Sequence, residues 1–457
     1  MATHSDKSRE ELVAVVEQQS EMIALLLQQI VEWKQEIARL KGHKPGASTL
    51  LSEPPDWVKP NTPSPLSEPK TPRKKRPDAF VRRREIPTEE GVHACSHCPD
   101  CGRSLSGGTP RSRRQMIELP AIAVRVIDHS VHARYCGVCQ KSCVPSPDLT
   151  EQEVGQSRFG QRVHALVAYL RSVGRLPVRG IASLLSALCR LKVSVGAVNQ
   201  MLSTVAICGQ SALGRLQESM RHSPFVHGDE TGWRENGKNG YLWSFSTPDV
   251  ALFTYPKTRA GHVVTDVLGL DYAGIVVSDF YGGYNTHLGL HQRCWVHLLR
   301  DVHTLTVKFP LPGVQEWAKQ LRSLYDRAKA FSHPAKKVRA KARVRFQEAV
   351  VMLASPCLAT SLSQTTLCKR LLQFESELFT FVEYPDVPCE NNAAERVIRS
   401  RVIARKISGG TCSPVGSQTM TVLSSLFATW QLRGEESLSA CQEMLREAQP
   451  QPVATPA

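Results

Sequence analysis

What most limits how this chain can fold is a pair of short apolar runs that each close on an aspartate. Residues 225–233 read FVHGDETGW. Phe225, Val226 and His227 form a buried strand that delivers Asp229 to its tip, with Gly228 and Gly232 leaving the backbone uncrowded. Further on, residues 274–279 read GIVVSD, a second β-branched run that ends on Asp279. A third acid, Glu395, stands in the polar stretch ENNAAER. Carboxylates at strand ends can reach a metal or a phosphate, so these three acids are expected to converge on a divalent metal.

The pattern around the two runs predicts a mixed α/β core. Strands are expected at 225–229, 240–247 and 250–255, the last two joined as a hairpin through Pro248-Asp249. A helix follows at 260–268, a fourth strand at 274–279, a short fifth at 290–294 and a helix at 295–308. With a last helix from Asn391 through Ile398, the succession of three strands, a helix, two further strands and closing helices is that of a ribonuclease-H-like fold. There the first and fourth strands are parallel neighbours, which brings Asp229 beside Asp279. Residues 315–378 carry no strand pattern and are rich in Lys and Arg around 336–345, so they read as a helical insertion. The core is thus expected at 223–308 and 386–434, the insertion at 309–385, and a tail at 435–457.

At 457 residues the chain exceeds a single core, and its N-terminal half divides into four further pieces. Residues 8–42 form a coiled coil: Leu12, Gln19, Leu26, Trp33 and Leu40 recur every seven, interleaved with Val16, Ile23, Ile30 and Ile37. Such a stripe needs a partner helix, which predicts self-association. Residues 43–92 are a Pro-rich basic linker. It contains KTPRKKRPDAFVRRRE, with Arg73, Lys74, Lys75 and Arg76 as a sequence-blind phosphate clamp or a solvated basic tract. Residues 93–147 hold six of the fourteen cysteines, including Cys98-x-x-Cys101 and Cys136-x-x-Cys139. Two such knuckles predict a zinc ribbon-like finger with structural Zn²⁺, although Cys95, His97 and Cys143 are close enough to replace a ligand. Alternation in residues 116–132 predicts paired strands between the knuckles. Residues 155–222 are helical, and 178–188 with 194–208 form a possible helix-turn-helix, with Ser194 as N-cap.

A formal net charge of +15 favours a polyanionic partner, nucleic acid before membrane. No run long enough to span a bilayer and no signal-peptide pattern occurs. Phosphodiester chemistry needs an activated oxygen nucleophile and relief of phosphate charge. Two Mg²⁺ or Mn²⁺ ions held by Asp229, Asp279 and Glu395 would supply both. Each acid also has a plainer reading: Asp229 in a turn, Asp279 as a helix cap, and Glu395 in a capping box with Asn392 as N-cap. Glu390 and Glu383 compete for the third position. Arg396, Arg399, Arg405 and Lys406, with Arg401, follow Glu395 and would grip flanking DNA phosphates, or in part form a solvated face. Trp233, Trp243 and Trp295 read as core, and Cys294-x-x-His297 as buried packing, since one pair cannot close a metal site.

HGDETGW, VVSDFYGGYN, RCWVHLLRD, ENNAAER and RKISGGT, in this order, resemble the transposases of the insertion-sequence-66 family of bacterial mobile elements. The resemblance extends to the leucine-zipper-like start, the double CxxC segment and the helical region before Asp229. It implies a multidomain α+β/α/β chain, a DDE-type transposase with a ribonuclease-H-like core and a helical insertion ahead of its glutamate. The acidic triad of the family falls on Asp229, Asp279 and Glu395, and Cys294-x-x-His297 resembles a signature of insertion-bearing transposases. Double-stranded DNA (element ends and target), homo-oligomerisation through the coiled coil, companion proteins of the element and a bacterial cytoplasmic, nucleoid-associated location are implied with it. The alternative is a zinc-ribbon, coiled-coil DNA-binding regulator with a silent ribonuclease-H-like domain. A third reading is a nuclease without strand transfer.

Overall fold

A computed structural model describes residues 84–145, 149, 154, 155, 157–358 and 362–448. The coiled coil expected at 8–42, the linker through residue 83 with Arg73, Lys74, Lys75 and Arg76, and the final residues of the tail lie outside the described residues. The chain divides into two compact units, Met1–Ile117 and Glu118–Ala457.

In the described part of the first unit, one tight turn organises the chain. Cys98 and Gly102 close it, the Gly102 N–H donating to the Cys98 carbonyl at 2.9 Å and the Cys98 N–H to the Arg103 carbonyl at 2.8 Å. A single bridge, His97 to Ser104, flanks it.

The second unit begins with a small hairpin, β1 (Arg134–Cys136) and β2 (Lys141–Cys143), paired from Arg134↔Cys143 to Cys136↔Lys141. The strands expected within 116–132 do not form. Met116, Ile117, Leu119 and Val126 are exposed there, and alternation makes a strand only where a neighbour pairs with it and a surface covers it. Four helices follow: α1 (Gln161–Ser172), α2 (Val178–Cys189), α3 (Val195–Cys208) and α4 (Gln210–Arg221). Ser194 caps α3 as expected, accepting from the Ala197 N–H at 3.1 Å. α3 turns Val198, Met201, Leu202 and Val205 into the core, an i, i+3, i+4, i+7 stripe.

Five strands then form one sheet: β3 (Phe225–Glu235), β4 (Lys238–Ser246), β5 (Ala251–Thr254), β6 (Ile275–Ser278) and β7 (His291–Arg293). Their spatial order is β5-β4-β3-β6-β7. β3 pairs antiparallel with β4 and parallel with β6, as the element order requires. The first strand is longer than expected. It runs on to Glu235 because Asn236 and Gly237, at φ +49° and +77°, make the two-residue turn whose twist matches a hairpin. α5 (His262–Leu268) joins β5 to β6, and α6 (Trp295–Lys308) follows β7.

The segment read as an insertion, 309–385, contains α7 (Pro312–Ala330), α8 (Lys336–Ala354), α9 (Thr365–Gln373) and the short α10 (Thr380–Glu383). It shares one apolar cluster with α6, in which Trp295, Leu298, Trp317, Leu321, Leu371 and Phe379 are buried. α11 (Asn392–Ser408) extends well past Ile398, and α12 (Pro414–Leu432) follows. α12 is buried despite its hydroxyls because they serve the edge strand. Thr429 and Ser425 accept from the N–H groups of Ala251 and Phe253 at 3.0 and 2.8 Å, which closes an otherwise open sheet edge. The segment expected as tail contains α13 (Ser437–Glu447). Glu436 caps it through Leu438 and Ser439, and Cys441, Met444 and Leu445 bury one face in the main core. Among the described residues no helix is long and apolar enough to cross a membrane.

Candidate active site

The last parallel pair between β3 and β6 is His227↔Val277. Two residues further along each strand stand Asp229 and Asp279, so the register itself sets the two acids side by side. Asp229 is not at a strand tip, because β3 continues with β4. It stands where β3 outruns β6 and the β6 chain turns away.

Gly228 matters for a different reason than an open backbone. A Cβ there would come within 2.5 Å of the Tyr284 ring, so only glycine lets Tyr284 pack against the strand. The Tyr284 hydroxyl donates to Glu230 at 2.7 Å, and Arg259 holds the other Glu230 oxygen at 2.6 Å. The Glu230 carboxylate is therefore satisfied within the protein. Among the described residues the Asp229 carboxylate keeps only the Glu230 N–H, at 2.9 Å. Burial, then the negative charges of Glu230, Asp279 and Glu395, push the Asp229 carboxyl up to about 7. Of the rivals for the third position, Glu383 is paired with Arg343 at 3.0 Å, and Glu395 is the acid that acts on Asp229.

Asp279 heads an Asx turn, its Oδ1 accepting from the Tyr281 N–H at 2.9 Å ahead of a 3₁₀ turn at Gly282–Thr286. Its backbone is gripped by Arg293, whose side chain is fully buried. Arg293 donates to the Asp279 carbonyl at 2.9 Å, to Ser278 Oγ at 3.1 Å and to Asn285 Oδ1 at 2.5 Å, and pairs with Glu377 of the insertion at 2.5 Å. The insertion thereby anchors the loop that carries Asp279.

Glu395 lies in the first turn of α11, and the capping box of its plainer reading is absent. The N-cap residue is Asn391 and not Asn392, and its side chain makes no cap. Instead Asn391 Oδ1 meets His227 Nδ1 at 2.9 Å and Asn391 Nδ2 donates to the Gly228 carbonyl at 2.7 Å. The Asn391 N–H donates to Cys294 Sγ at 3.1 Å. This buried asparagine fastens the start of α11 to β3 next to Asp229, and to the start of α6. Burial holds the His227 imidazole below its usual range, and since Asn391 Oδ1 only accepts, Nδ1 carries the hydrogen of this contact. Cys294 is thus more than packing, and His297 approaches Glu395 Oε1 at 3.5 Å. Both Glu395 Oε1 and His297 Nδ1 are buried atoms without a hydrogen-bond partner. Sequence reasoning missed Asn391, Arg293 and Tyr284. Their polarity within otherwise apolar or acidic motifs was the only available signal.

Among the described residues no three His, Cys, Asp or Glu side chains stand together as a ready metal cage. What the acids share is charge. Among the basic residues of α11, Arg396, Arg399 and Lys406 are exposed. Arg401 is buried, and Arg405 donates to the Gly232 carbonyl and to Thr231 Oγ1, so both serve the fold. Trp233, Trp243 and Trp295 are core, as expected. The two cysteine knuckles lie one in each unit. Backbone N–H groups of Cys101 and Asp100 lower the Cys98 thiol, and those of Cys139 and Val138 lower Cys136.

Residues 156–419 match the family described as Transposase IS66 family. The chain is also 30% identical over 160 residues to the uncharacterized protein y4jO of Sinorhizobium fredii (strain NBRC 101917 / NGR234). That match covers 34% of this chain and 47% of the relative, so the chain spans about half the length of the curated relative it matches.

Proposed function

The chain belongs to the IS66 transposase family, and from that premise we propose that it is a DDE-type transposase that binds the terminal inverted repeats of its element, cuts there and joins the ends to target DNA. The observation that carries this reading is the electrostatic convergence of Asp229, Asp279 and Glu395 at the point where β3 outruns β6. The sheet order supports a ribonuclease-H-like core, with β3 as first strand and β6 as fourth.

The donor set suits hard divalent cations. It consists of carboxylate oxygens in charge excess, with Asp229 pushed up to about 7 and Glu395 Oε1 making no hydrogen bond among the described residues. Asp229, Asp279 and Glu395 would hold Mg²⁺ or Mn²⁺, as two ions. When bound, these supply charge relief on the phosphate and acidify a water or a 3′-hydroxyl. The protein's own part is positioning. Asn391 and Cys294 fix where Glu395 starts, Arg293 fixes the backbone of Asp279, and Tyr284 with Arg259 keeps Glu230 out of the donor set. No side chain is required as a covalent nucleophile, and joining is a direct transesterification.

Arg396, Arg399 and Lys406, exposed beyond Glu395, would track the DNA backbone, with Arg73, Lys74, Lys75 and Arg76 adding a sequence-blind clamp. Cys98, Cys101, Cys136 and Cys139 would hold a structural Zn²⁺. The lowered thiols of Cys98 and Cys136 suit thiolate ligation. Self-association through residues 8–42 and companion proteins of the element belong to the same reading.

The test is strand joining by the full-length protein with a labelled element-end duplex, Mg²⁺ or Mn²⁺ and a plasmid target. Asp229→Ala and Glu395→Ala are expected to lose joined product by about a thousandfold or more, and Glu390→Ala to keep it. Retained joining in Asp229→Ala, or its loss only in Glu390→Ala, would remove this triad from the reaction.

A further inference from the structure

We propose that Arg171, Arg175 and Arg401 form a binding site for a phosphate group, supplied by the DNA backbone or by free phosphate. Arg171 closes α1, Arg175 lies in the turn that follows it, and Arg401 projects from the middle of α11. Arg401 is only 6% exposed. Its guanidinium donates to the Ser172 carbonyl at 2.7 Å, Ser424 Oγ at 3.0 Å and Ser400 Oγ at 3.2 Å. Arg171 donates to the Leu176 carbonyl at 3.0 Å and Ser408 Oγ at 3.2 Å. All of these acceptors are neutral.

Among the described residues no carboxylate answers the three cations. None of them makes an ion pair among the described residues. Burial first, then the charges of Arg171 and Arg175, hold the Arg401 guanidinium down at about 10. The contrast with Arg293 is direct, since that equally buried arginine has Glu377 at 2.5 Å.

Two polar atoms here are also unanswered. Arg175 Nε and Ser172 Oγ are buried without a hydrogen-bond partner, and Ser172 is 4% exposed. Arg175 further sits at φ +58°, a left-handed conformation that favours glycine. Buried donors, an orphan hydroxyl and uncompensated positive charge, held on a strained turn, together match the demands of one tetrahedral oxyanion. Arginine forks present paired donors to phosphate, whereas a lysine would present a point charge.

The phosphate site stands on these residues alone, and only the DNA source rests on the transposase reading. Arg175 is the informative position, because among the described residues its side chain makes no hydrogen bond that its loss would break. Full-length wild type and Arg175→Gln are melted in sodium chloride and in sodium phosphate at equal ionic strength. Arg175→Gln is expected to match or exceed the wild-type Tm in chloride, and phosphate to raise the wild-type Tm and not that of the variant. Arg175→Lys, which keeps the charge and loses the fork, should retain part of the response. An equal phosphate response in wild type and Arg175→Gln, no response in wild type, or a variant already weakened in chloride would each overturn the site.

The source is read by fluorescence anisotropy of a short duplex across a salt series. A DNA phosphate makes the salt slope of Arg175→Gln shallower by about one unit. Equal slopes with the phosphate response kept assign the site to free phosphate. Neither arm uses strand joining, so an inactive protein leaves the outcome readable.

Discussion

Two groups of like charge share helix α11, and they handle the cost of burial in opposite ways. Around Asp229 the excess is negative, and the group can relieve itself by taking up a proton, which is why Asp229 rises to about 7. Around Arg401 the excess is positive, and a guanidinium held at about 10 keeps its proton at neutral pH. The acidic group therefore adjusts to pH, while the arginine group makes a standing demand for an anion. A buried charge without its counterpart is expensive, so each group is best understood with its missing partner, cation in one case and oxyanion in the other. Arg293 is the control inside the same unit. It is buried, hydrogen-bonded through all three guanidinium nitrogens and paired with Glu377, so its charge is answered within the protein.

That comparison can be broken most forcefully at Arg293. Arg293→Ala leaves Glu377 and the Asp279 carbonyl without their partner, and should cost about 3–5 kcal/mol in urea unfolding. Arg175→Gln in chloride should cost nothing by the same measurement. Equal losses would erase the distinction between a paired and an unpaired buried arginine.

A smaller effect is expected from pH in metal-free protein. Asp229 binds its proton at about 7 in the fold and at about 3.9 in the unfolded chain. Between these values the folded state holds more protons. Stability should therefore fall as pH rises from about 4 to about 7, by roughly 2–4 kcal/mol, and level off above. Asp229→Asn lacks this dependence and should be the more stable protein at pH 8, with the advantage fading below pH 4. Parallel stability profiles for the two proteins would mean that Asp229 is not strained by its neighbours.

The smallest effect separates the outer from the inner arginines of α11. Arg399→Ala, at an exposed position, should leave Tm unchanged and lower the salt slope of duplex binding by about one unit. Arg405→Ala should instead cost about 1–2 kcal/mol of stability, because the Gly232 carbonyl loses its donor. A reversed pattern would exchange their roles.

Much of this was legible in the chain. Period-two and period-3.6 patterning located the strands, α6 and the helical insertion, because burial on one face writes itself into residue spacing. The register of Asp229 against Asp279 followed from strand order alone, and Ser194 announced the start of α3. Asn236-Gly237 was also legible as a hairpin turn and went unread, which cut β3 short. Other features had no such local signature. The apolar alternation in residues 116–132 lacked a neighbour to pair with, and the expected tail hid the apolar face of α13.

What the sequence by itself determined is the order of elements and the place of two acids just beyond the paired stretch of two parallel strands, since both depend on local pattern and short-range pairing. Only the tertiary structure decided which polar groups answer which. Asn391 leaves its cap to hold β3, Arg293 crosses to Glu377, and Arg401 meets only cations and neutral oxygens. The physical reason is range. Propensity and periodicity act over a few residues, whereas the energy of a buried polar group depends on partners that arrive from more than eighty residues away in the chain.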